Sequence, residues 1–184
     1  MASSRPALLF ARQFLAHPRR IGSFIPSSRP LVSRMLAGVD WSGVETAVEF
    51  GPGTGVVTRA ALARLRPDAR LIAFELNPEF ATYLTRSIDD PRLLVLPMSA
   101  EHVANHVPDG CDVAISSLPF SIMPRGVRGR ILAATASVLN AGAPLIGYQY
   151  SPAFLAELRS AFPDVAVRFE PRNWPPAFVF TARR

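Results

Sequence analysis

The run VEFGPGTGVV, Val48–Val57, passes from an apolar stretch to a helical one through Gly51–Gly55, where three of five residues are glycine. So bare a turn marks a strand handing over to a helix where the backbone must bend tightly and something must lie close to it. The alternation then continues. Thr46–Phe50 and Arg70–Glu75 read as strands with a helix over Val56–Arg66 between them. Asn77 caps and Pro78 opens the next helix, and Arg92–Leu96 is a strand. A short helix over Ala100–His106, a strand at Cys111–Ser117, a helix over Arg125–Leu139 and a strand at Ala143–Tyr150 follow. Ser151-Pro152 starts one more helix, and VAVRFEP and PAFVFTA close the chain as an antiparallel pair around RNWP. Such a pattern predicts an α/β fold, a seven-stranded, mostly parallel sheet with helices on both faces and the last strand antiparallel. Ligands of such sheets bind beyond the carboxyl ends of the strands. The places to inspect are therefore Glu49–Gly55, Glu75–Asn77, Met98–Glu101, Ser116–Phe120 and Tyr148–Tyr150.

Which ligand the glycine turn takes can be narrowed by elimination. The dinucleotide fingerprint needs a third glycine where Val56 stands, and phosphate-loop binding needs a lysine, of which the chain has none. A nucleoside without a pyrophosphate remains. Glu75, about 20 residues past the turn, suits ribose hydroxyls, and Glu49 suits an ammonium group. One cysteine, Cys111, and scattered His17, His102 and His106 offer no metal-ligand spacing, so no metal is expected. Cys111 reads as a buried strand residue.

At this point the motifs add up to a resemblance. EFGPGTG, FELN and a strand ending in SSLPF resemble the Rossmann-like S-adenosylmethionine-dependent methyltransferases. Within that class, IGSFIPSS, EFGPGTGVVTRA, LPFSIMP and NWPPAFVF resemble bacterial phospholipid N-methyltransferases, and more distantly SSLPF is similar to the NLPY or NLPF of ribosomal-RNA adenine dimethylases. The resemblance spans roughly Ile21 to Phe180 and implies S-adenosylmethionine as cofactor, with S-adenosylhomocysteine as product. By motif, Gly51, Gly53 and Gly55, with Glu49 and Pro52, line the methionine part, and Glu75 with Leu76 meets the ribose. Ser99 stands where such enzymes often carry an adenine-binding Asp; Ala100 follows it, and Glu101 is a possible substitute. Ser116 belongs to both cofactor and substrate sides.

The implied reaction is N-methylation of phosphatidylethanolamine, toward phosphatidylcholine. Displacement at a sulfonium methyl needs a nitrogen lone pair and correct aim, so positioning dominates. Catalytic candidates are Ser116, Ser117, the Leu118 carbonyl, Pro119 and Tyr148. Methylated ammonium groups favour aromatic faces, which makes Phe120, Tyr148, Tyr150 and Trp174 candidates for a head-group cage. Arg172, or Arg125, Arg128 and Arg130, are candidates for a lipid phosphate.

Charge is distributed unevenly. Residues 1 to 34 carry six arginines and no acid, while the remainder balances fourteen arginines against fourteen acids. Residues 1–38 are therefore read as a basic N-terminal helical arm and 39–184 as the Rossmann-like domain. In the arm, ALLFARQFLAH (7–17) is amphipathic, with Phe10, Phe14 and Leu15 on one face and Arg12 on the other, which suits an anionic membrane surface. A peripheral enzyme on the cytoplasmic side of the inner membrane is expected. Nucleic acid is not expected as a partner, because the body lacks a basic stripe and the chain stops where RNA adenine dimethylases continue into a helical domain. The alternatives are an RNA adenine N6-methyltransferase-like or small-molecule methyltransferase, and a non-catalytic cofactor-binding module.

Overall fold

The structure, a computed structural model, describes residues 27–184. The amphipathic helix expected at 7–17 lies outside them. Seven strands, β1 (Thr46–Phe50), β2 (Arg70–Phe74), β3 (Leu93–Leu96), β4 (Val113–Ser116), β5 (Pro144–Gln149), β6 (Asp164–Glu170) and β7 (Ala177–Arg183), form one sheet in the order 3-2-1-4-5-7-6. Only β7 runs antiparallel to its neighbours, β5 and β6. The α/β architecture is thus the expected one, including the reversed last strand.

Helices α1 (Arg29–Leu36), α2 (Val56–Leu62) and α3 (Pro78–Ser87) cover one face. A 3-10 segment, Ala100–Asn105, with α4 (Arg125–Val138) and α5 (Leu155–Ala161), covers the other. The sequence expects Pro30 near the start of α1, and Ser28 caps it, its hydroxyl accepting the Leu31 N–H. Leu31 and Leu36 are fully buried against the sheet, each contributing about 1.5–3 kcal/mol. Residues 29–36, counted with the arm in sequence, are therefore a wall of the domain.

The start of β4 shifts from Cys111 to Val113 for an identifiable reason. Asp112 does not join β4, because its carboxylate accepts the N–H groups of Glu45 and Thr46, 2.9 Å each, and so anchors the entry to β1. Cys111 keeps a single bridge to Leu139 and is fully buried, as expected; burial pushes its thiol up to about 12.

At the middle of β5 the sheet leaves no space for a side chain. A Cβ on Gly147 would lie 2.6 Å from the Ser116 carbonyl oxygen and 2.6 Å from the Phe180 ring. Backbone cannot move aside as a flexible side chain can, so Gly147→Ala is expected to cost about 1–3 kcal/mol of folding stability, read from urea denaturation.

Candidate active site

The carboxyl ends of β1 and β4 part at one point. The Gly51 N–H donates to the Phe74 carbonyl of β2, 3.0 Å, while the Phe50 carbonyl accepts the Ser117 N–H from β4, also 3.0 Å. The chain departs from β1 toward α2 and from β4 toward a second loop, the divergence of strand ends at which sheets of this kind bind ligands. The two loops touch where the Leu118 side chain lies against Gly51.

The glycine turn forms one wall. Gly53 and Gly55 hold φ of +56° and +80°, the left-handed region open to glycine, but for different reasons of space. A Cβ at Gly55 would collide with Leu84 of α3 at 2.6 Å, whereas one at Gly53 would meet nothing within 4 Å. Gly55 lets the helices pack, and Gly53 bares backbone to an open space. Glu75, 7% exposed at the end of β2, holds this turn: its carboxylate accepts the Gly53 N–H at 3.0 Å and the Asn77 N–H at 2.9 Å. Burial raises its pKa, and the N–H donors of Asn77 and Gly53 oppose the rise.

Glu49 lies beneath the turn, fully buried, with neither carboxyl oxygen hydrogen-bonded. Burial first of all pushes it up to about 8, and the Glu75 charge adds to the rise. Thr58 on α2 lies near enough to oppose the shift, but its hydroxyl is outside hydrogen-bond geometry and is itself unpartnered. Pro52 is buried inside the turn and Leu76 packs at the edge of the core. At the third strand end, Ser99 caps the 3-10 segment that opens with buried Ala100. The Ser99 hydroxyl donates to Glu101 at 3.2 Å, and Glu101 also pairs with Arg130 at 2.5 Å, so the two candidates for adenine recognition engage each other.

The opposite wall is the SSLPF loop. Ser116 is fully buried, its hydroxyl accepting the Leu118 N–H at 3.3 Å. The Leu118 carbonyl is already engaged twice, by the Phe120 N–H at 2.9 Å and by Gln149 Nε2 at 2.7 Å. It therefore drops out as the free acceptor that the sequence made it. The Ser117 hydroxyl, buried and without a partner, is the side chain of this loop with unused hydrogen-bonding capacity. Past Pro119 the chain turns into a 3-10 segment, Phe120–Ile122.

That turn corrects one expectation. Phe120 does not line a head-group cage; it is fully buried and stacked on Phe154 with ring centroids 4.6 Å apart. The other candidates divide. Tyr148 and Tyr150 meet edge to face at 5.6 Å, and Tyr148 accepts a hydrogen bond from Ser27 at 3.1 Å. Burial raises the Tyr150 hydroxyl to about 12. Trp174 points outward, 74% exposed. Arg172 pairs with Glu170 at 2.9 Å, and Arg128 pairs with Glu157 and also donates to the Phe120 carbonyl. With Arg34 on its other oxygen, Glu170 is held down at about 2, by Arg172 first and Arg34 second.

Sequence reasoning missed Gln149 and Asn173. Gln149, 4% exposed, clasps the SSLPF loop from both sides: Nε2 holds Leu118, and Oε1 accepts the backbone and hydroxyl of Ser121 at 3.1 and 2.9 Å. Its signal was an amide inside an otherwise apolar strand. Asn173 accepts the Ser28 N–H at 3.0 Å, which brings IPSS and NWPP together.

The fold is the Rossmann-like one that the sequence predicts. No protein-family model matches the chain. The ornithine lipid N-methyltransferase of Singulisphaera acidiphila is 27% identical over 95% of this chain and 94% of its own length. A ribosomal RNA small subunit methyltransferase A from Thermosynechococcus vestitus is 24% identical over 56% of this chain, 38% of that protein. Among solved structures, the Burkholderia thailandensis 1,6-didemethyltoxoflavin-N1-methyltransferase, with bound 1,6-didemethyltoxoflavin and S-adenosylhomocysteine, superposes at a TM-score of 0.73. It is 19% identical, covering all of this chain and 91% of that one. The precorrin-6y C5,15-methyltransferase of Geobacter metallireducens also gives 0.73, at 14% identity over 88% of this chain and 92% of its own.

Two outcomes follow from this geometry. Gln149→Leu strands the Ser121 N–H in a part-buried place and leaves the Leu118 carbonyl with the Phe120 N–H alone; it is expected to cost about 1–3 kcal/mol, measured by chemical denaturation. Glu49 is neutral below about 4.5 whether folded or unfolded, and between there and about 8 only the folded chain keeps it neutral. Stability should therefore fall as pH rises through that window, and Glu49→Gln, which never ionises, should remove the Glu49 share of the fall in denaturation curves taken across it, leaving the share of Glu75, whose pKa burial also raises.

Proposed function

We propose that this chain methylates the amino group of a membrane lipid with S-adenosylmethionine as the donor. The observation that carries the reading is the crevice itself. On one side is an open backbone cradle at Gly53 between two buried carboxyls, and on the other a loop whose Ser117 hydroxyl lacks a partner. The residues present fit a sulfonium nucleoside. Gly51 to Gly55 lie along the methionine part, and Glu75 is at hand for ribose hydroxyls. Glu49 is a buried carboxyl that needs a cationic or hydrogen-bonding partner, and the donor's ammonium is one.

When bound, S-adenosylmethionine supplies an electrophilic methyl group. The chain's own work is to seat and aim an amine. Ser117 accepts a hydrogen bond from the substrate N–H and so fixes where the nitrogen lone pair points. Gln149 keeps the Leu118–Ser121 backbone from competing or moving. Burial at this edge disfavours an ammonium relative to the neutral amine that attacks. Tyr148 and Tyr150 offer faces to the cation that forms.

Two head groups suit this chemistry. Phosphatidylethanolamine is the one to which the IPSS, LPF and NWPP motifs point. Ornithine lipid is the second reading, favoured by the Singulisphaera relative and by the ion pairs that already occupy Arg128, Arg130 and Arg172, three candidate phosphate holders. The working place is the cytoplasmic face of the inner membrane, with residues 7–17 against anionic lipid. No described helix is long and apolar enough to cross a membrane.

The test is methyl transfer from labelled S-adenosylmethionine to vesicles containing phosphatidylethanolamine, to vesicles containing ornithine lipid, and to RNA. Label in either lipid supports the reading and chooses the head group; label confined to RNA overturns it. Gly53→Val, which fills the open cradle, is expected to weaken S-adenosylhomocysteine binding about tenfold or more by calorimetry, with the melting temperature recorded alongside.

A further inference from the structure

Five large apolar side chains among the described residues are substantially exposed: Tyr83, Leu94, Ile122, Phe169 and Trp174. Tyr83 on α3 and Leu94 on β3 sit toward one side edge of the sheet. The other three gather at the carboxyl end. Ile122 follows the loop that leaves β4, 46% exposed. Phe169, 52% exposed, pairs in register with Phe178, which is itself opposite Gln149, the last residue of β5. Trp174, 74% exposed, tops the β6–β7 connection, at the end where β5 finishes.

Each of the three has an arginine close by in sequence: Arg125 after Ile122, Arg168 beside Phe169, Arg172 before Trp174. The acid among them, Glu170, is turned inward, fully buried and matched by two arginines. Apolar side chains interleaved with arginine, on the same end as the substrate loop, form a rim suited to an anionic bilayer interface, where tryptophan and snorkelling arginine both find partners.

We infer that the carboxyl end of the β4–β7 half of the sheet is a bilayer-docking face, with Trp174 and Ile122 inserting among the lipid head groups on either side of the substrate loop. The choice of occupant rests on the lipid-substrate reading. An acyl-anchored amine reaches the Ser117 loop only if this end of the sheet is turned to the membrane. Trp174 then acts as an anchor to the bilayer and not as a wall of a head-group cage.

The test uses the full chain with vesicles of phosphatidylcholine and phosphatidylglycerol whose acyl chains carry bromine, a short-range quencher of tryptophan. The chain has two tryptophans, and Trp41 is engaged with the Leu36 carbonyl at 2.9 Å, so Trp174→Phe assigns the signal. Quenching and a blue shift that vanish in Trp174→Phe are expected. Partitioning should fall roughly five- to tenfold in Trp174→Ser combined with Ile122→Ser, and should not fall in Tyr83→Ser combined with Leu94→Ser. Emission of Trp174 indifferent to the brominated vesicles, or already shielded from a soluble quencher without vesicles because another part of the chain or a second copy covers it, overturns the proposal. An equal loss in the Tyr83/Leu94 pair overturns it too. Because binding is read without methyl transfer, quenching that persists while lipids stay unmethylated sinks the substrate reading and leaves the docking face standing.

Discussion

The last rung of the central ladder determines where everything else in this molecule can happen. β1 is bonded to β2 on one side and to β4 on the other up to Phe50, and there the two partners part: Gly51 stays with Phe74, and Ser117 holds on to the Phe50 carbonyl. The chain has gone outward from β1 through β2 to β3 and must cross back to begin β4, so the connections on either side of β1 leave in opposite directions. A crevice at that point is a consequence of topology before any side chain is chosen. The side chains then decide what the crevice accepts. A bare turn on the first side admits a ligand to the backbone, and a short loop clasped by Gln149 on the second presents one unoccupied hydroxyl.

Polar groups around this crevice fall into two kinds, and the difference carries the functional argument. Glu75 and Gln149 are buried and well bonded, and their bonds fix two loops in place. Glu49, Thr58 and Ser117 are buried with no bond, at a cost on the order of 1–3 kcal/mol for each such group. A chain selected for stability alone would put apolar residues there. Three of the four described side chains with such a buried, unpartnered atom, Arg128 on α4 being the fourth, lie at or beside the carboxyl ends of β1 and β4, which fits a site that completes its hydrogen bonds with a ligand.

The parts of this design legible in the sequence are those governed by local chemistry. Asn77 announces a helix start through the orphan N–H it caps, and Pro78 and Pro30 through a fixed φ that suits the first turn, whereas the Ser28 cap appears only in the fold. The glycine turn announces itself by what it lacks, and short apolar runs between such signals give the strands, of which β1, β2 and β4 are buried on both faces. What escaped reading depends on contacts across more than twenty residues. The hold of Gln149 on Leu118 and Ser121 crosses about thirty positions, and only the fold shows that it consumes the carbonyl that the SSLPF motif offers in sequence. Phe120 misled for a similar reason. Whether an aromatic after a proline faces a ligand or the core depends on the 3-10 turn that follows, and here Phe154 waits on the core side.

Three separated segments that motif reading treats as independent meet at one wall of the crevice. Ser27 donates to Tyr148, the Ser28 N–H is held by Asn173, and Tyr148 stacks edge-on against Tyr150. Arg34, one turn and a half further along α1, reaches Glu170 just before the connection that carries Asn173 and Trp174. α1 is thus pinned to β5 and the β6–β7 connection by two hydrogen bonds from the residues just before it, and to the end of β6 by an ion pair from its last turn. Covalent continuity does the rest: the residues before Ser27 are joined to the site through a residue bonded to Tyr148. A surface that takes hold of the chain there and a surface that takes hold of Trp174 act on the same wall from its two ends. That shared wall ties the start of α1, the end of β5 and the β6–β7 connection into a single piece of architecture.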